Sequence, residues 1–439
     1  MSSPFTAFSV ADVVVVGAGP AGLTAAIAAA DHGAQVYVFE QMDRPAAKLA
    51  AAGTAPRCLT LMADREAIAA RFGAQAPFVR PALEAMDPAA LRRFLEGLGA
   101  PLHSPDGVHV VPIGDSGAPV QAAIWRRATE LLGVSLRLGA RVTGLCLEGG
   151  RVAGLVTDAG RQTVSRVILA TGGRSYPTLG STGSGYALAA QAGHAIIDPR
   201  PALVPLVIEE AWVRACAGTR LPSARIWIAP PAGSPKGSNG TGTGRAPPGR
   251  TPSAAEGEVA FTHTGLAGSA ALDVSGDVAQ LLAAEPAVPL RLNVDAAMSA
   301  DVWLGRFAEW LEQRGGGPME DLLAEHVPQP FARAMAAACG IPAGAAIAEV
   351  PEDTRRALAA LLVAAPLTAI ATEGFAAAMV TRGGIRLDDV DPQTLQSRIV
   401  HGLYFAGEML DVDGPSGGYN LQWAFSSGCL AGCSAGSAD

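Results

Sequence analysis

An α/β fold divided between the two ends of the chain, with β-rich and helical segments between them, is what this 439-residue sequence predicts. Three observations point to it. A strand, a glycine loop, a helix and a second strand follow one another near the start. A strand running into a glycine turn and a helix stands near the end. The middle carries neither pattern. A chain of this length exceeds one ordinary core. The expected division is 1–195 and 364–439 as two parts of the α/β domain, 196–300 as a β-rich insertion with a mobile loop at 230–258, and 301–363 as a helical subdomain.

The first unit is ADVVVVGAGPAGLTAAIAAADHGAQVYVFEQ, residues 11–41. Val13 to Val16 read as a strand buried on both faces. Gly17, Gly19 and Gly22 follow as GxGxxG, with Pro20 and Ala21 between them. The alanine-rich run to Ala30 is a helix stopped by Gly33, and AQVYVFE is a second strand ending on Glu40. Gly17 permits the sharp turn, Gly19 lets backbone approach a pyrophosphate, and Gly22 lets the helix pack closely on the sheet. The helix start offers N–H groups and a positive dipole to phosphate. Glu40 can accept from adenosine ribose hydroxyls and disfavours a 2′-phosphate. Because strand, glycines, helix, strand and acid occur in order, the unit reads as a Rossmann-like dinucleotide site.

Residues 133–173 alternate as a meander: ARVTGLCLE, RVAGLVTD, and QTVSRVILATGG, whose strand ends in Ala170, Thr171 and Gly172. Following a GxGxxG unit, this order resembles the two-dinucleotide-binding FAD flavoproteins. The resemblance implies that the Ala170–Gly173 turn lies against the cofactor and that Val142 presents backbone to the adenine. The stretch 230–258 is rich in Pro, Gly and Ser and cannot bury a core. GEVAFTHTGLAGSAALDVS reads as β structure and then a turn, residues 301–363 read as helices, and PLTAIATEGFAAAMVTRGGI returns to strands. No second strand–GxGxxG–helix unit follows, so any nicotinamide must dock against the one nucleotide domain.

The ending, GLYFAGEMLDVDGPSGGYNLQWAFSSG, places Glu408 at the carboxyl end of a strand, the edge where ligands bind in open α/β sheets. Gly414, Gly417 and Gly418 supply a tight turn. A small-residue helix follows from Tyr419 to Ala431, and its start near Asn420 would favour negative charge on a reduced flavin. Asp411 and Asp413 suit Asx-type turns.

This ending is similar to the signature of the BaiN/YhiN-like flavoproteins, also called aminoacetone-oxidase-like, and closest to a proteobacterial subgroup. FTHTGLAGSA (261–270) and VTRGGIRLDDVDPQTLQSRIVHGLYFAGE (380–408) resemble the matching segments of that family. The resemblance spans the chain. It implies a discontinuous Rossmann-like FAD-binding domain with a β-barrel insertion and a helical subdomain, and a flavin oxidoreductase. The residues it places at the FAD are Gly17, Gly19, Pro20, Ala21, Gly22, Glu40, Lys48, Val142, Ala170, Thr171, Gly172, Gly407, Glu408, Asp413, Gly417, Gly418, Tyr419 and Asn420. The family's glycine-rich loop after the second strand is replaced here by KLAAAGTAPRCLT (48–60), which keeps one glycine, Gly53.

For proton transfer, His263 in FTHTG and Tyr419 are the candidates. His103 and His109 are scattered and have no metal spacing, and no metal is expected. The six cysteines form no CxxC and fit a reduced, cytoplasmic setting. Arginine carries nearly all the positive charge, Lys48 and Lys236 being the only lysines. The net charge of −8 argues against a nucleic-acid partner. No run approaches the length of a membrane span. The expected activity is hydride transfer between flavin N5 and a small organic substrate, with NAD(P)H or O2 as redox partner. The alternatives are a low-turnover FAD-binding sensor or scaffold, and a flavin-dependent RNA-modifying enzyme.

Overall fold

The computed structural model describes residues 13–51, 58–114, 116–131, 133–230 and 254–437. Among these, one compact unit comprises 13–200 and 379–437, and a second comprises 201–230 and 254–378. The predicted loop substitution at Gly53–Arg57 and most of the loop at 230–258 lie outside the described residues. The end of that loop does not: Ala254–Phe261 is one continuous strand.

The first unit is built on a five-stranded parallel sheet in the order Leu403–Phe405, Arg166–Leu169, Val13–Val16, Val36–Glu40, Val134–Leu138. Its centre is Val13–Val16, a run of four β-branched residues buried on both faces. Register brings the strand ends level: Val16 pairs with Leu169 and with Phe39, and Leu169 with Phe405. The loops leaving these strands therefore meet at one edge. The chain runs from the central strand outward to one side through Val36–Glu40. It then returns to the other side through Arg166–Leu169, which makes that edge a topological switch point.

Two predicted elements differ in detail. QTVSRVIL is not one strand. Gly160–Thr163 completes the three-stranded meander, while Arg166–Leu169 leaves it to join the parallel sheet. An unbroken strand could not serve two sheets of different direction. The terminal helix runs on to Ser437, because tertiary contact outweighs the cost of glycine inside a helix. Gly428, Gly432 and Gly436 stand four apart on the face that meets Ala21, Ala25 and Ala29 of the first helix, Pro20–Asp31. A Cβ on Gly428 or Gly432 would collide with the carbonyl oxygen of Ala21 or Ala25, so the two backbones touch without side chains between them.

The second unit is a closed six-stranded barrel: Leu206–Ile208, Gly265–Ala267, Ala254–Phe261, Arg220–Ile228, Val288–Asn293, Ala365–Thr372. The last strand, assigned above to the returning segment, closes this barrel. Ser269–Leu281, whose first part is read above as a turn after β structure, is a helix. Its apolar residues Ala270, Ala271, Val274 and Val278 recur at helical spacing and are buried. Helices Ala300–Arg314, Met319–Leu323, Gln329–Ala338 and Glu352–Val363 fill the predicted helical segment and share the barrel's hydrophobic core.

Replacing Gly432 by Val should cost about 1–3 kcal/mol in urea unfolding, the usual penalty of overpacking. Gly305, in a helix with open space around its Cα, provides the control: Gly305→Ala should be neutral or stabilising by up to about 1 kcal/mol.

Candidate functional site

The glycine loop of the first unit divides its three glycines by job. Gly17 has φ 103° and lies against the carbonyl of Ala170, so only glycine fits there. A Cβ on Gly22 would strike the Gly17 carbonyl oxygen and Val15. Gly19 is different: it has an ordinary φ of −75°, and a Cβ there would meet nothing within 4 Å. Among the described residues, no contact or backbone strain explains a glycine at that position. It opens outward at the start of the first helix, which has Pro20 at its first turn and no side-chain cap. An uncapped helix start beside a bare glycine is the cradle a phosphate requires.

Glu40 ends its strand with both carboxylate oxygens in use. The N–H of Ala18 donates to Oε2 at 2.7 Å and that of Met42 to Oε1 at 2.8 Å. The acid thus pins the glycine loop to the second strand while each oxygen retains a lone pair. The Glu40 carbonyl accepts from Ala140 N–H at 2.9 Å, which brings the Val142–Glu148 strand alongside.

On the other side of the switch point, Thr171 follows Ala170, and both its N–H and its hydroxyl approach the Met409 sulfur. Gly172 has φ 74°. Gly407 is clamped by the terminal helix: its N–H donates to Ser427 Oγ at 2.9 Å and its carbonyl accepts from Trp423 Nε1 at 3.1 Å. The clamp fixes the next residue, Glu408. Its Oε2 accepts from Lys48 Nζ at 2.7 Å, and its Oε1 accepts from Ser175 Oγ at 2.6 Å and Thr381 N–H at 2.8 Å. Lys48 also donates to Ser175 Oγ at 2.5 Å. Sequence reading named Lys48 and Glu408 but not their joint cluster with Ser175 and Thr381, because these partners are brought together across 27 to 360 residues of chain.

A buried tyrosine stands beside this cluster. Tyr186 is 8% exposed, and its hydroxyl has no hydrogen-bond partner among the described residues. Burial, with the charges of Glu408 and Asp411, pushes its phenol well above the ordinary range, so it stays protonated. An orphaned buried donor next to a carboxylate cluster suits a polar ligand.

Asp413, for which an Asx-type turn is expected, forms a buried ion pair with a distant arginine. Its carboxylate takes Nε and Nη2 of Arg382, both at 3.0 Å, and the side chains of the pair are 11% and 5% exposed. Asn420 instead braces the glycine turn. Its Oδ1 accepts from Gly414 N–H at 2.8 Å and its Nδ2 donates to the carbonyls of Gly414 and Pro415. Gly417 and Gly418 have φ of 100° and 107°, and they pack on the His109 ring and the Thr60 backbone. Tyr419 packs edge-on to Phe72 with the Arg71 guanidinium over its ring. His263 lies in the second unit, exposed, in the tight turn between two barrel strands. Among the described residues no metal-binding group of His, Cys, Asp and Glu occurs, and no helix is long and apolar enough to cross a membrane.

A five-stranded parallel sheet with this loop, acid and switch point defines a dinucleotide-binding fold, and the family match makes it that of a flavin-dependent oxidoreductase. The chain belongs to the HI0933-like family, whose Rossmann-domain description matches residues 11–434. The 3-dehydro-bile acid delta(4,6)-reductase of Clostridium scindens is 32% identical over 431 residues, covering 95% of this chain and 97% of that one. The ribosomal RNA dihydrouridine synthase of Escherichia coli K12 is 26% identical over 435 residues, covering 95% and 96%. Among solved structures, 3-ketosteroid delta1-dehydrogenase from Sterolibacterium denitrificans, bound to 1,4-androstadiene-3,17-dione, matches with a TM-score of 0.50. The identity is 15%, over 97% of this chain and 99% of that one, a likeness of fold. The flavoprotein resemblance and the fold class read from the sequence are both borne out.

Arg382→Met should destabilise the protein by about 3–5 kcal/mol, since it takes the guanidinium from a buried carboxylate. Replacing both partners, as Arg382→Met with Asp413→Leu, should recover much of that loss in urea unfolding.

Proposed function

We propose that this chain binds FAD at the switch-point edge and uses it to transfer a hydride to or from a small organic substrate. The observation that carries the reading is Gly19, whose open Cα face no packing requirement explains. In this reading the pyrophosphate lies against Gly17, Gly19 and the start of the first helix at Pro20, Ala21 and Gly22. Glu40 takes a ribose hydroxyl through its remaining lone pairs, and Val142 borders the adenine. Ala170, Thr171 and Gly172 border the middle of the cofactor, and Glu408, held by Gly407 and Lys48, takes the ribityl chain. The turn from Asp413 to Asn420 directs the terminal helix at the ring, where its dipole favours negative charge by about 0.3–1 kcal/mol. FAD, when bound, supplies the hydride chemistry. The protein supplies orientation, electrostatics and a donor for the accompanying proton.

The two curated relatives support a reductase acting on a carbon–carbon double bond, one a bile acid reductase and the other a dihydrouridine synthase. The second relative also supports a reading in which the substrate is RNA. The net charge of −8 weighs against it. Anaerobic flavin bleaching by nicotinamides or amines, then reoxidation by enones or by RNA, separates the two. Recovery of oxidised flavin with an enone supports the small-molecule reading, and recovery with RNA alone overturns it. Purified protein that takes up no FAD overturns both.

Gly19→Ala isolates the cofactor role. It should cost no more than about 1 kcal/mol of stability, the usual effect of Ala at a helix N-cap, because the new methyl meets no atom of the described residues. FAD affinity should fall by about tenfold or more, the equivalent of roughly 1.4 kcal/mol.

A further inference from the structure

We propose that His109, oriented by Asp106, is the acid–base residue that exchanges a proton with the substrate at the flavin. The proposal rests on the FAD reading above. His109 opens a short strand, His109–Pro112, that pairs with Thr60–Leu61. Asp106 stands in the PDG turn just before it. Its Oδ1 accepts from the N–H groups of Val108 and His109 at 2.9 and 2.8 Å, which locks the carboxylate in place. Its Oδ2 lies 2.6 Å from His109 Nδ1. Hydrogen bonds from His109 and from the turn backbone hold the Asp106 carboxyl well below its ordinary range, so it is ionised. A carboxylate only accepts, so Nδ1 carries a hydrogen, and Nε2 is left to gain or lose the mobile proton.

Nε2 faces the glycine turn. A Cβ built on Gly417 would come 3.0 Å from it, and the neighbouring Gly418 packs on Thr60 of the strand beside His109. These contacts account for both left-handed glycines. They also seat an oriented imidazole on the turn that, in the FAD reading, carries the flavin ring. His109 has the carboxylate-oriented geometry of a general acid or base; His263 lies exposed in another unit and Tyr419 packs on Phe72 and Arg71. Its ring is 39% exposed, so solvent can return the proton. The ionisable groups on the elements around it are Asp106, His103 on the adjoining strand, Cys58 ahead of the facing strand, and Tyr419 with Arg71 beyond the turn. Burial and the Asp106 charge push the Cys58 thiol up, which leaves it neutral.

The step balances as follows. One carbon of the substrate double bond gains the hydride, whose electrons derive from a nicotinamide-type hydride donor that reduces the flavin. The other carbon gains the proton from Nε2. That N–H bond breaks as the new C–H bond forms, and imidazolium becomes imidazole.

FAD-loaded protein labelled in its histidine rings tests this by NMR, with the His109 signal assigned by its loss in His109→Gln. On photoreduction of the flavin the His109 ring signals should shift, from the added negative charge nearby. Asp106→Asn should release Nδ1 and change the tautomer signature of the ring in both redox states. His109→Gln should keep its FAD affinity yet slow reduction of an enone substrate by about 10²–10³-fold and lose the alkaline limb of the pH profile. A His109 signal indifferent to the flavin's redox state, in yellow protein, overturns the assignment while leaving the FAD reading intact. Colourless protein overturns both.

Discussion

Everything at the switch-point edge depends on how closely the terminal helix lies on the first helix. Gly428, Gly432 and Gly436 present bare backbone to the carbonyl side of Ala21, Ala25 and Ala29. A larger residue at any of the three would force the helices apart. That contact joins segments separated by almost the whole chain, and the glycine loop and the Glu408 strand are its two outward ends. The same helix reaches the site directly. Trp423 and Ser427 grip Gly407, and Gln422 accepts a hydrogen bond from Thr60 and donates to the Met86 carbonyl and Ser426. The terminal helix is therefore both a wall of the core and the frame of half the site.

The polar cluster around Glu408 follows from this frame. A carboxylate held at a strand end, partly out of water, needs donors. Lys48, Ser175 and Thr381 supply them from three separate segments. The arrangement preorganises the acid, since its rotamer is fixed before any ligand arrives. The buried Arg382–Asp413 pair does the same for the following loop, and Asn420 ties that loop to the helix start.

Much of this was legible in the sequence where a residue's job is local. Gly17 to Glu40 declare their strand, turn, helix and strand through spacing alone, and the terminal glycine turn was equally plain. Partners were illegible wherever they come from distant segments: nothing near Glu408 announces Ser175 or Thr381. The ion pair of Asp413 could not be read locally because its partner, Arg382, lies 31 residues earlier. QTVSRVIL was read as one strand because alternation does not reveal a change of sheet. The helix Ser269–Leu281 did show its period, but the β pattern before it drew the reading onward. His109 was passed over for a related reason. It has no metal spacing, and its significance lies in a carboxylate three residues away and a glycine turn about three hundred residues on.

The central claim is that three distant segments form one FAD site. Hydrogen–deuterium exchange with and without FAD tests it most directly. The account predicts that FAD slows exchange together in peptides covering Gly17–Gly22, Ala170–Gly172 and Gly407–Glu408, while the barrel peptides stay unchanged. Protection confined to one of these segments, or none, would contradict it.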